Sequence, residues 1–300
     1  MSWRSMAFGT TLAAVGAVLL WLTDLDGISE ATSSTNAGNQ FPTVVGNAGP
    51  VLTLLLVSLS ASLLVGFGVA QALRGRFRLD TRGLRAGLAC VLAGVALSIN
   101  ALILPWWQFS YQVNGYTYCH GTWVFYPWYL QVSDVCSSIP NSADWWYSNP
   151  RLFSHGGAVA IDASYGVLIA AALGLAAALL VLRRRSRGAL TGRRTSWGLV
   201  LGLSAAAADA GAAVYFAVAL PSALSADNYG LASYYAYDTS FWGSAIRPGN
   251  PSEMFFWGPD WTWVLVVVAG ALLVTGAVVS YLSSRGRTGV AATNSPPRGA

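Results

Sequence analysis

Six stretches of mostly apolar residues recur along this 300-residue chain, and they leave few folds open. They are Met6–Thr23, Pro50–Leu73, Ala86–Pro105, Ala158–Leu182, Trp197–Leu220 and Trp261–Leu282. A helix needs about 20 such residues to cross the hydrocarbon core of a bilayer. Inside lipid no water can bond the backbone, so a segment of this length must close its hydrogen bonds on itself as a helix. Composition agrees: 54% of residues are hydrophobic and 10% are charged. A soluble domain carries about 25% charge, so too few charges are present to coat a soluble surface. The reading is an all-α integral membrane protein with six transmembrane helices, arranged as three out-and-back hairpins.

Charge sets the expected orientation. All seventeen basic residues are Arg, and fifteen of them fall at the ends of the runs or in the connections on one side. Arg74, Arg76, Arg78, Arg82 and Arg85 fill one short connection, and Arg183, Arg184, Arg185, Arg187, Arg193 and Arg194 fill another. Only Arg151 and Arg247 lie in the alternate loops. Arg beside membrane helices holds a loop in the cytoplasm, so both termini are expected there, in a plasma membrane. The arginines flank helices and build no separate basic face, which points to lipid headgroups and excludes nucleic acid as the partner. The first run is short and follows Arg4, as in a signal peptide, but its exit Trp21-Leu22-Thr23-Asp24 lacks the small-x-small cleavage pattern. It reads as a retained helix. The membrane domain is expected over 1–287, with 288–300 as a disordered cytoplasmic tail.

Three outward loops follow from this map: Asp24–Gly49, Trp106–Gly157 and Pro221–Asp260. The first holds the Ser-, Thr- and Asn-rich stretch Ser29–Gln40 and reads as flexible. The second is crowded with aromatic rings. Phe109, Tyr111 and Val113 alternate with Ser110 and Gln112, then Asn114-Gly115 gives a hairpin turn signal, and Tyr116 and Tyr118 alternate beyond it. A third strand is expected at Thr122–Tyr126, giving a small antiparallel sheet. Cys119 and Cys136 share this loop, and in an oxidising compartment a disulfide between them would staple the sheet, worth about 3 kcal/mol in the chain-entropy view. Free thiols or metal ligands are the alternatives. The third loop, with Tyr229, Tyr234, Tyr235, Phe241, Trp242 and Trp257, is expected to pack on the second. Trp and Tyr also favour the headgroup zone, which accounts for Trp106, Trp107, Trp257, Trp261 and Trp263. The central rings Trp123, Phe125, Tyr126, Trp128 and Tyr129 need another explanation, and they form the candidate binding surface of an outward aromatic cap.

Chemistry-bearing residues are few. Asp209 lies midway along the fifth run, where a charge costs about 2.5–3.5 kcal/mol to insert. It is either a proton or cation site or a hydrogen-bonded clip between helices. Gly198, Gly202, Ala205, Asp209, Ala212 and Phe216 recur at helical spacing and place it on a small-residue seam. Asn100 in the third run is the expected partner. Asp162, near the outer end of the fourth run, reads as an interfacial residue at a helix amino terminus. His120 and His155, with Cys119 and Cys136, could hold a soft metal, but the adjacent Cys-His spacing argues against one. No phosphate loop, nucleophile elbow or zinc motif occurs, so neither an enzyme nor a cofactor is expected.

From the third run to the sixth, the organisation resembles the claudin-type four-helix membrane proteins. Trp106–Gly157 and Pro221–Asp260 would be the counterparts of their large and small outer loops. The family's Gly-Leu-Trp followed by two cysteines is not matched: here Cys119-His120-Gly121-Thr122-Trp123 puts one cysteine before the Trp, and two further helices precede the unit. The resemblance implies adhesion or complex assembly. The functional expectation is therefore a non-enzymatic binding protein that contacts a partner protein or envelope component through the cap. A small secondary transporter using Asp209 is the alternative.

Overall fold

The computed structural model describes residues 3–33, 48–77, 79, 81–113, 119–136, 139–147, 154–186, 192–227, 240–247 and 250–293. Six long helices carry the chain: α1 (Trp3–Ser33), α2 (Ala48–Phe77), α3 (Arg82–Ala101), α4 (Ser154–Ser186), α5 (Gly192–Ala226) and α6 (Trp261–Thr293). Each contains a segment long and apolar enough to cross a membrane, which makes this a multi-pass membrane protein. The arginine-rich ends of the helices lie together, opposite the ends that carry strands.

Several helix limits differ from the hydropathy reading, because hydropathy marks lipid contact and backbone hydrogen bonding marks the helix. Helix α1 runs through Asp24–Ser33, part of the loop expected to be flexible. Helix α6 continues over residues 288–293, part of the expected disordered tail. Neither extension meets a proline. Helix α3 starts and ends four residues earlier than expected. The Thr81 hydroxyl accepts the Leu84 N–H at 3.3 Å and fixes the start. Pro105 disfavours helical geometry at the residue before it, and the chain closes with tight turns from Leu102 to Ile99 and Ile103 to Asn100. Helix α5 instead passes through Pro221, where a loop was expected. Buried Leu220, Ala223 and Leu224 on either side supply packing that offsets the missing hydrogen bond.

Helices α3, α4, α5 and α6 form a ring in which each packs on the next and α6 returns to α3. The α1–α2 hairpin attaches outside this ring, through α2 against α3. Small residues set these contacts. A Cβ on Gly276 of α6 would meet the Gly87 carbonyl oxygen and the Val91 nitrogen of α3, each at 2.6 Å. A Cβ on Gly202 of α5 would meet the Ala277 Cβ of α6 at 2.5 Å. The outer surfaces of α1 and α2, including Phe8, Val18, Trp21, Leu52, Leu56 and Phe67, are exposed and apolar, as lipid contact requires.

Six strands build one antiparallel sheet in the order β4-β3-β2-β1-β6-β5. The strands are β1 (Trp107–Val113), β2 (Cys119–Phe125), β3 (Tyr129–Cys136), β4 (Ile139–Trp146), β5 (Gly243–Arg247) and β6 (Asn250–Pro259). The sequence reading anticipated a small sheet in the second loop, but not its size. The strand expected at Thr122–Tyr126 is part of β2, and β3 and β4 follow it. The third loop does more than pack: β6 pairs with β1 from Trp107↔Pro259 to Val113↔Glu253. Asn114-Gly115, Tyr116 and Tyr118 lie outside the described residues, but Val113 pairs with Cys119 on either side of them. Alternation puts Trp107, Phe109, Phe125, Leu130, Phe255 and Trp257 into one buried cluster with Val159, Ala163 and Val167 of α4 and Phe216, Leu220 and Leu224 of α5. Sheet and helix ends therefore share a core.

The close contacts make a direct prediction. Replacing Gly276 with Val should force α3 and α6 apart and cost about 2–3 kcal/mol, as overpacking does. Gly211→Ala should be neutral, since nothing lies within 4 Å of a Cβ there. Unfolding midpoints in mild detergent would separate the two.

Candidate functional site

The expected cap surface divides once its side chains are placed. Phe125 and Tyr126 are buried, at 0% and 1% exposure, and belong to the core. Trp123, Trp128 and Tyr129 are half-buried. Phe125 meets Trp107 edge-on at 5.3 Å, and Phe109 lies 5.1 Å from Trp123. Tyr126 and Tyr129 stack with centroids 4.4 Å apart across the β2–β3 turn, which the Tyr126 N–H closes on the Tyr129 carbonyl at 3.0 Å. Tyr147 donates its hydroxyl to the Tyr126 carbonyl at 2.8 Å. Burial of that hydroxyl, and secondarily the neighbouring Tyr129, pushes its pKa well above the ordinary phenol value, so it remains a donor.

The indoles have structural duties. Trp106 donates to the Ala101 carbonyl at 2.7 Å and Trp128 to the Leu102 carbonyl at 2.8 Å, so two rings satisfy carbonyls left open at the end of α3. Trp107 donates to the Phe241 carbonyl and Trp263 to the Ala213 carbonyl, at 2.8 and 3.0 Å. Among the described side chains of the sheet and its loops, the exposed large apolar groups are Trp242 and Ile246, at 57% and 58%. Phe241, next to Trp242, packs on Trp263 at 5.5 Å, which sets Trp242 level with the start of α6. Ile246 lies near the far end of β5, an edge strand. The aromatic count drew attention to the second loop, whereas the strand order gives the sheet one edge from each loop, β4 from the second and β5 from the third.

Asp209 is fully buried among α3, α5 and α6. Its Oδ2 accepts from the Ser98 hydroxyl of α3 at 2.9 Å, and Ser98 also lies 3.0 Å from the Gly94 carbonyl. A Cβ on Gly270 of α6 would lie 3.5 Å from the Asp209 Cβ, so that glycine makes room for the carboxyl. The other oxygen, Oδ1, has no hydrogen-bond partner among the described residues. The expected pairing with Asn100 is not made: the Asn100 amide nitrogen is also buried without a partner among the described residues. Ser98 and Asn100 are two residues, about 200°, apart on α3, so when one faces α5 the other faces away. Ser98 was the overlooked partner, and the signal for it was its place four residues after Gly94. Gly270 is nine residues beyond Trp261, about 13 Å along α6. Asp209 therefore lies in the half of the span nearer the sheet, although it is midway along α5.

Asp162 is exposed on α4 and accepts the Tyr215 hydroxyl of α5 at 3.4 Å. The amino terminus of α4 is served by a different acid. Asp227, just past α5, accepts the His155 and Gly156 N–H groups at 2.7 and 2.8 Å and also lies 2.7 Å from His155 Nδ1. One carboxylate thus caps α4 and joins it to α5. His155, a member of the candidate metal set, is committed to that acid, and no metal-binding group of three His, Cys, Asp or Glu occurs among the described residues. The register sets Cys119 opposite Cys136 on neighbouring strands.

Asp227→Ala should remove the cap and lower stability by about 1–2 kcal/mol, while Asp227→Asn should retain part of it. Chemical unfolding of both variants in detergent would measure this. No protein-family model matches the sequence, and no curated protein matches it.

Proposed function

We propose that this chain is a non-enzymatic membrane protein that holds a partner protein or envelope component against its sheet. In this reading the sheet faces outward from the plasma membrane and both termini lie in the cytoplasm, as the placement of fifteen of seventeen arginines favours. A disulfide between Cys119 and Cys136 fits the same orientation. Directly opposed residues of an antiparallel pair have Cα atoms about 4.5–5.5 Å apart, within the range a disulfide spans.

The observation that carries the binding proposal is the exposed apolar side chain of Ile246 on an edge strand of a sheet otherwise fixed to the helix core. Trp242 is better read as a headgroup anchor, given its level beside Trp263. The register breaks between Ile246 and Arg247, which interrupts uniform pairing along this edge. Contact would then run through side chains, with half-buried Trp123, Trp128 and Tyr129 as the secondary surface. Ile246→Asp should reduce recovery of the co-purifying partner about tenfold in mild detergent. Trp242→Ala should leave recovery unchanged. An unaltered profile for Ile246→Asp would remove the support for this surface.

A second reading rests on the unpartnered Oδ1 of Asp209: a proton or cation site in a small secondary transporter. Asp209→Asn decides between this and an interhelical clip. The Asn side chain can still bond Ser98, so a clip keeps its unfolding midpoint within a few degrees. A transport site instead loses ion-coupled uptake in proteoliposomes while the fold persists.

A further inference from the structure

An exposed acid stands on the outer surface of the helix ring, and neither reading uses it. Asp162 of α4 has one contact across to α5, where the Tyr215 hydroxyl reaches its Oδ2 at a long 3.4 Å. It makes no ion pair with a described residue; the one local cation, His155, pairs with Asp227. A carboxylate can accept about four hydrogen bonds, so a single long contact leaves most of that capacity open.

Two rulers give the depth of this acid. Arg183, at the other end of the same apolar span, is 21 residues away, about 31 Å along the helix. A hydrocarbon core is about 30 Å thick, so with Arg183 at one boundary Asp162 stands at the other. Trp263, near the start of α6, donates to the Ala213 carbonyl, two residues before Tyr215, which sets the same level in the aromatic belt.

The neighbours on this surface are apolar or aromatic. Leu168 and Ile169, about two turns inward on α4, and Val214, beside Tyr215 on α5, are exposed. Tyr165 is one turn inward from Asp162 on the same helix face and is 52% exposed. Trp128 packs on its ring nearly at right angles, with centroids 6.1 Å apart, and is itself held by its bond to the Leu102 carbonyl. The Tyr165 ring is thus braced from the sheet side while half of it stays open to the bilayer. A carboxylate and an aromatic ring on one face, at headgroup level, suit an ammonium. One supplies charge and accepts N–H groups, and the other offers the negative face of its π system.

We propose that Asp162 and Tyr165 form a surface site for the ammonium of an aminophospholipid, phosphatidylethanolamine, in the leaflet on the sheet side. The Asp162 carboxylate accepts the ammonium N–H groups, the Tyr165 ring borders the cation, and an acyl chain lies along Ile169. Headgroup chemistry selects among lipids. The methylated ammonium of choline has no N–H to give the carboxylate, and phosphatidylglycerol brings no cation at all. A basic side chain of a partner helix carries the same charge, but bilayer lipid already covers Ile169 and Val214, which makes a lipid the neighbour of the acid.

Native mass spectrometry of the full-length protein in mild detergent tests this, with dioleoyl phosphatidylethanolamine, its mono- and dimethyl forms and phosphatidylcholine as probes. The wild type should retain phosphatidylethanolamine about tenfold better than phosphatidylcholine, the worth of one hydrogen bond to a charged group, with the methyl forms between. Asp162→Asn should lower phosphatidylethanolamine to the phosphatidylcholine level. Tyr165→Leu should weaken retention of both about threefold, since the cation loses its ring while the surface stays apolar. Both side chains are exposed, so unfolding midpoints should match the wild type. The methylation series uses the wild type alone and so decides even if a variant unfolds. Equal retention of the ethanolamine and choline lipids by the wild type, or an undiminished preference in folded Asp162→Asn, would overturn the proposal. Displacement of the lipid by millimolar phosphoethanolamine would overturn it too, since the site would then recognise a free headgroup. A protein that blocks the lipid on the wild type and is lost from Asp162→Asn would assign the acid to a partner helix instead.

Discussion

Lipid gives these helices no hydrophobic reason to associate, so the fold depends on how closely their backbones can approach. Gly276 against Gly87 and Val91, and Gly202 against Ala277, bring α6 within reach of both α3 and α5. With α4 closing the circuit, four helices form a ring and α1–α2 remains an appendage. The same contacts determine where the ring is loose. It is tight where small residues face each other and opens where Gly198 faces only Val181. They also decide what a buried acid can do. Gly270 leaves room for Asp209, and Ser98, on the α3 face toward α5, is the group that meets it.

The aromatic richness of the chain has a physical explanation before it has a functional one. Beyond α3 the backbone leaves the helix and its last carbonyls need donors. The indoles of Trp106 and Trp128 supply two, while their rings cover the joint between helix and sheet. Trp106 then meets Phe216 edge-on at 5.1 Å, which carries the joint to α5. A tryptophan suits this role because one end of the ring is apolar and the other donates. Such contacts tie the sheet to the helix ends, and under the proposed function its edge strands are where a partner would be held.

Much of this was legible in the sequence. The spans follow from the length of the apolar runs, and the position of β1 follows from period-two alternation, while the strand expected at Thr122–Tyr126 overlaps β2. The seam on α5 was visible because Gly and Ala recur at helical spacing. The β1–β6 pairing was not legible, because β6 holds an unbroken Met254-Phe255-Phe256-Trp257 run that lacks alternation, and its partner lies about 140 residues earlier. Ser98 was passed over for Asn100 because sequence distance and depth were similar and only helix phase separates them. The aromatic surface was misjudged at Phe125 and Tyr126 for a related reason: a ring count cannot tell a ring that faces a core from one that faces a partner.

The pairing of β1 with β6 constrains how the molecule can be made. Strand β1 follows directly on α3, whereas β6 directly precedes α6. At the usual pace of translation, those intervening residues take on the order of ten seconds to emerge. For that interval one long edge of β1 waits without its neighbour, on the far side of the bilayer from the ribosome if the proposed orientation holds. The sheet is completed only when β6 arrives, so a chain arrested before β6 would carry an unfinished strand edge.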